Sequence, residues 1–287
     1  MTRRLDGKSS QTLAANDPGA SGDGVPDQPG VDNTRAFVDY RLDAGIATIT
    51  MDDPERRNAL SVELRAALWQ AFRRFAADED ARVAILTSST DKAFCSGADL
   101  DQMKRLGIAV PPRDFVPLIG HNIDIDKPMI AAVTGPAVGG GLMMTLTCDI
   151  VLAAEHAVFG MPEARWGRGA PWSVPMAGLV SRRHWAELAL TGTPISARRA
   201  AEIGLVNQVL PRPELMARAR EMAGAIAANA PLTVRATLEM IRSTPDMSLS
   251  AAWDYADAVF VPVYRSQDAQ EGPAAFHERR PPRWQGA

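Results

Sequence analysis

The sequence predicts an α/β layered domain in which a parallel sheet is followed by a helical region. Three observations carry that expectation. Short apolar, β-branched runs alternate along the chain with segments whose apolar residues recur at helical spacing. Three of those runs feed glycine-containing turns. After about residue 182 the strand-like runs give way to helical patterns. Strand and helix in alternation imply helical crossovers joining parallel strands.

The elements follow in order. Residues 1 to about 35 are rich in Gly, Pro, Ser, Asp and Asn and nearly devoid of large apolar side chains. Such a stretch buries too little surface to offset its ordering entropy, so an unstructured tail is expected there. Gly45 to Met51 alternates and is β-branched, which predicts a strand, ended by Asp52-Asp53-Pro54. Ser61 is placed to cap a helix in which Leu64, Leu68, Phe72 and Phe75 share one face. Val83–Thr87, Met129–Val133 and Ile150–Ala154 are short apolar runs of the kind buried on both faces of a parallel sheet. Gly139-Gly140-Gly141 opens an apolar helix that ends near Cys148. Helices are then expected over His184–Leu190, from Ser196 through Glu202 with a stop at Gly204, and over Pro213–Ala228, Leu232–Ile241 and Leu249–Tyr264. No internal repeat is visible.

Composition narrows the function classes. Hydrophobic residues make up 46% and charged residues 23% of 287 positions, as in ordinary soluble globular proteins. The formal charge of −3 gives no electrostatic footprint for nucleic acid. No run is long enough for a membrane span, and no apolar segment follows Arg3-Arg4 as a secretion signal requires. A cytoplasmic protein is expected. Cys95 and Cys148 lie far apart, and the four histidines form no metal-ligand spacing, so neither a disulfide nor a bound metal is expected.

The chemistry resides in three turns. In Lys92-Ala-Phe-Cys-Ser-Gly-Ala-Asp-Leu100, Ser96-Gly97 permits a tight turn that frees the Ala98 N–H; the plainer reading is a strand-to-helix turn capped by Asp99. In Thr134-Gly-Pro-Ala-Val-Gly-Gly-Gly-Leu142, a strand runs into a glycine-opened helix whose first N–H groups have no internal partner. The plainer reading there is close packing of helix on sheet. The segment lacks the lysine of a phosphate-binding P-loop. In Phe159-Gly-Met-Pro-Glu-Ala-Arg-Trp-Gly167, Glu163 stands alone in an apolar stretch, where an acid gains a raised pKa and can move protons. The plainer reading is a surface glutamate paired with Arg165 or Arg168.

As an ordered set these segments resemble the enoyl-CoA hydratase/isomerase, or crotonase, family. The resemblance rests on Pro54-x-x-Arg57-Asn58-Ala59-Leu60, Ala93-Phe-Cys-Ser-Gly-Ala-Asp-Leu100 and Lys127-Pro-x-Ile-Ala-Ala-Val-x-Gly-x-Ala-x-Gly-Gly-Gly141. It continues through Cys148-Asp149-Ile150, Phe159-Gly-x-Pro-Glu163, Leu190-Thr-Gly-x-x-Ile-Ser-Ala197 and Ala201-x-x-x-Gly204-Leu-Val-Asn207 to the C-terminus.

The resemblance implies a spiral of ββα units over residues 36–195 and a helical region over 196–287 that assembles a homotrimer or a dimer of trimers. It implies an acyl-CoA substrate and no other cofactor. The thioester oxygen would sit between the N–H groups of Ala98 and Gly140, with Glu163 as acid/base. Coenzyme A would lie along Arg57 and Ala59 and the turn Ser96-Gly97-Ala98-Asp99-Leu100, with Arg56 and Lys104 toward its phosphates. Gly139, Met143, Phe115 and Trp172 would complete the acyl pocket, and Ile119 would belong to the same wall as Phe115. Two departures stand out. Typical hydratases carry a second glutamate where this chain has Met143. Their glycine-rich run after Glu163 is replaced by Gly167-Arg-Gly-Ala-Pro-Trp-Ser-Val174. The missing carboxylate favours an isomerase over a hydratase; an atypical hydratase and a non-catalytic acyl-CoA binder are the alternatives.

Overall fold

The computed structural model describes residues 36–287. The tail expected over residues 1–35 lies outside the described residues. The chain runs β1 (Val38–Asp43), β2 (Ile46–Met51), α1 (Val62–Ala77), β3 (Val83–Ser88), α2 (Leu100–Arg105), β4 (Met129–Val133), β5 (Ala137–Val138), α3 (Gly140–Leu146), β6 (Ile150–Ala154) and β7 (Val158–Gly160). It continues with α4 (Met176–Leu179), α5 (Arg182–Thr191), β8 (Ile195–Ser196), α6 (Ala197–Glu202), β9 (Gln208–Leu210), α7 (Arg212–Ala227), α8 (Pro231–Ser243), α9 (Leu249–Arg265) and α10 (Asp268–Glu278).

A six-stranded sheet has the order β1-β2-β3-β4-β6-β9 and a three-stranded one the order β5-β7-β8. Within the large sheet only the β1–β2 hairpin is antiparallel; β2 through β9 pair in parallel. The expected α/β class with parallel crossovers is therefore what the chain adopts. The sheet-plus-turn units β4–β5–α3 and β6–β7 followed by the turn at Pro162 are the repeats of the spiral.

Both faces of the large sheet are covered, which is why its strands read as unbroken apolar runs. Ala47, Ile49, Met51, Leu86, Ala131, Val133 and Ala153 point into one cluster, where α1 adds Leu64, Leu68, Phe72 and Phe75. The alternate residues Val83, Ile85, Ile130, Ala132, Leu152 and Ala154 form a second cluster against α7. There Leu215, Ala219, Ala223 and Ala227 recur every fourth residue, a small-residue stripe that lets the helix lie close to the strands. The region from residue 196 onward is mostly helical, as expected. It nevertheless shares the sheet's core, because β9 extends the sheet and α7 covers it.

Capping follows the sequence where a side chain can do it. Ser61, Ser181, Ser196 and Ser248 each accept from the backbone N–H three residues on. Arg242 of α8 grips Asp149 at the start of β6 through Nε (3.0 Å) and Nη2 (2.9 Å), and its Nη1 reaches the Ile125 carbonyl. Among the described residues no helix is long and apolar enough to cross a membrane.

Candidate active site

The three glycine-containing turns, spread between residues 92 and 167 of the sequence, are hydrogen-bonded edge to edge. The first is fixed from below by Asn58. Arg57 and Asn58 have positive φ (54° and 51°), which turns the loop after Asp53 back on itself. Asn58 is fully buried. Its Oδ1 accepts the Asp53 N–H at 2.7 Å, and its Nδ2 donates to Ser88 Oγ at 2.9 Å and to the Phe94 carbonyl at 3.0 Å. One amide thus joins the Arg57–Ala59 loop, the end of β3 and the approach to the first turn. Leu60 N–H then donates to Gly97 O at 2.8 Å and Ser96 N–H to Arg57 O at 3.1 Å.

The first and second turns meet along Cys95 and Ala137. Phe94 N–H donates to Pro136 O at 2.9 Å and Val138 N–H to Cys95 O at 3.0 Å. The second and third meet through β5 and β7, with Gly139 N–H on Gly160 O at 2.9 Å. The glycines are needed for these approaches. A Cβ on Gly141 would overlap the Cys95 carbonyl, and one on Gly97 would lie 3.0 Å from Val138 O and 3.5 Å from Gly140 N. Gly139 takes φ +54°, and its Cβ would meet Glu163 Oε1 at 3.2 Å. The plainer reading of the glycine run, close packing, is therefore what the structure has, and the same packing brings the backbone N–H of Gly140 beside the Gly97-Ala98 turn.

Among the described residues the Ala98 N–H donates to no backbone acceptor, and neither does the Gly140 N–H, like others in the first turn of α3. Asp99 is engaged within the chain, its side chain accepting from Gln102 N–H at 2.8 Å as the cap of α2. Cys95 is buried and free, and burial pushes its thiol up to about 12, so it contributes packing and not a thiolate.

Glu163 follows Pro162 in a turn of 3-10 helix that closes on Gly167. Its Oε2 is buried and accepts no hydrogen bond from the described residues. Burial holds the carboxyl above its ordinary range, against the opposing pull of its own backbone N–H and of the Trp172 indole. The expected surface pairing is absent: Arg165 bonds Thr191 O and Thr193 Oγ1, while Arg168 Nη2 turns toward Met103 Sδ at 3.9 Å. Met143 lies one turn into α3, buried, its N–H on Gly139 O.

Two clefts open here. One of about 410 Å³ is lined by Met161, Glu163, Ala170, Ser173, Arg182 and Trp185, among others. The other, about 430 Å³, runs between Leu100, Met103, Lys104 and Ile108 on one side and Trp166 and Arg168 on the other. Arg168 borders both. Among the described residues Glu163 is the one carboxylate lining either.

Comparison with known proteins places this arrangement. The profile of the family described as enoyl-CoA hydratase/isomerase matches residues 41–287. This chain belongs to that family. Carnitinyl-CoA dehydratase of Salmonella typhi is 38% identical over 256 residues, spanning 84% of this chain and 95% of that protein. Among solved structures, enoyl-CoA hydratase from Mycobacterium marinum superposes with a TM-score of 0.81 at 33% identity, covering 88% of this chain and 100% of that one. Enoyl-CoA hydratase from Mycobacterium tuberculosis H37Rv gives 0.81 at 34%, with the same coverage. The chain is thus an acyl-CoA-processing enzyme with the crotonase fold.

Of the positions expected to form the crotonase site, the structure gathers Ala98, Gly97, Gly139, Gly140 and Glu163, with Arg57 and Ser96 in the loop bonded beneath them. Trp172 is beside Glu163, Leu100 and Lys104 border a cleft, and Ala59 is held in the Asn58 loop. Phe115 and Ile119 line neither cleft, and neither do Ala98, Gly140, Met143 and Trp172. Phe115 and Ile119 are buried in the main core, and the Arg65 guanidinium covers the Phe115 ring at 4.1 Å. Sequence reasoning missed Arg168 and Trp166 as cleft residues. The available signal was a cation and an indole within five residues of Glu163.

Proposed function

We propose that the enzyme holds an acyl-CoA thioester oxygen between the Ala98 and Gly140 N–H groups and moves a proton at C2 with Glu163, isomerising 3-enoyl to 2-enoyl thioesters. The observation that carries this reading is Glu163 itself: a lone carboxylate, half-buried with one oxygen fully enclosed, raised in pKa and packed against the glycine turn that leads to Gly140. Removing a C2 proton puts negative charge on the thioester oxygen. Two preorganised donors stabilise that charge more than the ground-state carbonyl, and one such donor contributes about 3 kcal/mol in other enzymes. The C2 proton passes to Glu163 as the electrons move into the dienolate. The same proton returns at C4, and the double bond ends between C2 and C3. One base suffices and no water enters, in keeping with the thioether of Met143 where a second carboxylate would hold water.

A second reading, reversible hydration, is favoured by the carnitinyl-CoA dehydratase relatives. It uses the same donors and has Glu163 shuttle the proton between C2 and the departing hydroxyl. Incubation with 2-enoyl- and 3-enoyl-CoA thioesters in oxygen-labelled water separates the two. Conversion of 3-enoyl to 2-enoyl product without label supports isomerisation. Label at C3 assigns hydration, and binding without turnover refutes both.

Assembly into a trimer or a dimer of trimers belongs to the same proposal. Helix α9 buries none of its residues, yet it presents Leu249, Trp253, Val261 and Tyr264 to solvent at 77%, 65%, 40% and 74% exposure. An apolar helix face of this kind calls for a partner surface.

A further inference from the structure

Arg168 is a cation with no evident counterpart. It follows Glu163 by one turn, with its backbone N–H on the Glu163 carbonyl at 2.9 Å. Its side chain is half-buried, and the contact recorded for its guanidinium is a thioether, Met103 Sδ at 3.9 Å. Among the described residues no carboxylate pairs with it. A thioether is a weak acceptor, and a guanidinium offers five donors in a planar fork suited to carboxylate or phosphate. The wider charge pattern points the same way. The Lys104 cleft contains Arg168 and no acid, and the Glu163 cleft is bordered by Arg168 and by Arg182, which likewise has no ion-pair partner among the described residues. The rest of both linings is largely apolar.

We propose that this enzyme selects acyl-CoA substrates whose acyl group carries a carboxylate beyond the reacting carbons, and that Arg168 binds that carboxylate. The inference rests on the acyl-CoA site proposed above. An acyl chain whose C2 faces Glu163 enters the cleft that Glu163 lines, and Arg168 borders that cleft as well. The apolar linings of Met103, Ile108, Trp166 and Trp185 accommodate methylenes, while the guanidinium takes the anionic end. The same fork could instead take a coenzyme phosphate, an anionic oxygen from the other end of the ligand. Position favours the acyl end, because Arg168 is tied by its backbone to the residue that faces C2.

The test uses saturated thioesters, which bind without reacting, so its outcome does not depend on which reaction Glu163 catalyses. Calorimetry would compare glutaryl-CoA, pentanoyl-CoA, 4-(trimethylammonio)butyryl-CoA and free coenzyme A on the full chain. Glutaryl-CoA is expected to bind about tenfold to a hundredfold more tightly than pentanoyl-CoA, the range of a charge-assisted hydrogen-bonded pair, with the cationic thioester weakest. In Arg168→Gln that preference should vanish while pentanoyl-CoA still binds, which also shows that the variant folds. Equal affinity of the wild type for glutaryl- and pentanoyl-CoA overturns the proposal without any variant. Equal weakening of all four ligands in Arg168→Gln also overturns it and assigns Arg168 to the phosphates. Failure of every thioester to bind would instead sink the acyl-CoA site itself.

Discussion

Replacing Glu163 with Gln keeps the shape of the side chain and removes its ability to take a proton. The turns that carry the Ala98 and Gly140 N–H groups are held by backbone bonds at Gly97 O and Gly139 N–H, which do not involve this side chain. Loss of a positioned general base costs about 10²- to 10⁴-fold in rate, so kcat for whichever enoyl-CoA reaction the wild type performs should fall by that amount. The Kd for a saturated acyl-CoA should move by no more than about threefold, under 1 kcal/mol. The pH dependence sharpens the test. Burial raises the Glu163 carboxyl above its ordinary 4.5, and the base is active only when ionised. Wild-type kcat should therefore rise with pH through an inflection above 4.5, and the Gln variant should lack that inflection. Stability should move in the opposite direction to activity. A carboxyl whose folded pKa exceeds its unfolded pKa makes the folded state bind the proton more tightly, so stability falls as pH rises between the two values. The Gln variant is free of that loss. At neutral pH it should melt above the wild type, and the gap should close as pH drops below the unfolded carboxyl value. Full activity in Glu163→Gln, or an unchanged pH inflection, would refute the role assigned to this residue.

Three other substitutions probe the frame. Met143→Glu restores the carboxylate that typical hydratases carry, and labelled-water assays should show hydration of a 2-enoyl-CoA at least about tenfold above the parent, in line with the contribution of a second acid/base; no gain would mean that the pocket itself excludes water. Gly141→Ala sets a methyl against the Cys95 carbonyl, which is backbone and cannot swing aside. It should cost about 3 kcal/mol by thermal unfolding and lower kcat with it. Asn58→Ala strands buried acceptors at Phe94 and Ser88 and frees the Arg57–Ala59 loop. A loss of about 2–4 kcal/mol in denaturant titration is expected, together with weaker coenzyme A binding.

The parts of the fold legible in the sequence were those with enough residues to show a period. β2, β3, β4 and β6 and helices α1, α5, α6, α7, α8 and α9 fall where apolar spacing put them, within a residue or two at each end. β5 and β8 span two residues each and β7 and β9 three, too few to display alternation, and they exist because neighbouring turns lend them partners. α10 was hidden by Gly272 and Pro273 inside it, and β1 by its charged residues on a sheet edge. In the site, the glycine turns and Glu163 were visible because backbone approach and an isolated acid both leave residue-type signatures. Phe115 was expected at the pocket from the resemblance; the structure buries it in the main core with the Arg65 guanidinium over its ring. Arg168 appeared in sequence as an ion-pair partner for Glu163. Its direction is set by the turn at Gly167, which has φ +62°, and direction is a three-dimensional property that spacing does not encode.

The free N–H groups of Ala98 and Gly140 belong to the main chain, and that has a consequence for anyone altering this enzyme. An alanine scan passes over both: one position is already alanine, and at the other a methyl changes packing against Leu60 while leaving the amide in place. In the site proposed above, the two donors to the thioester oxygen are thus insulated from ordinary side-chain mutation. On that proposal, substitutions at 143, 163 and 168 change side chains while both donors stay with the backbone.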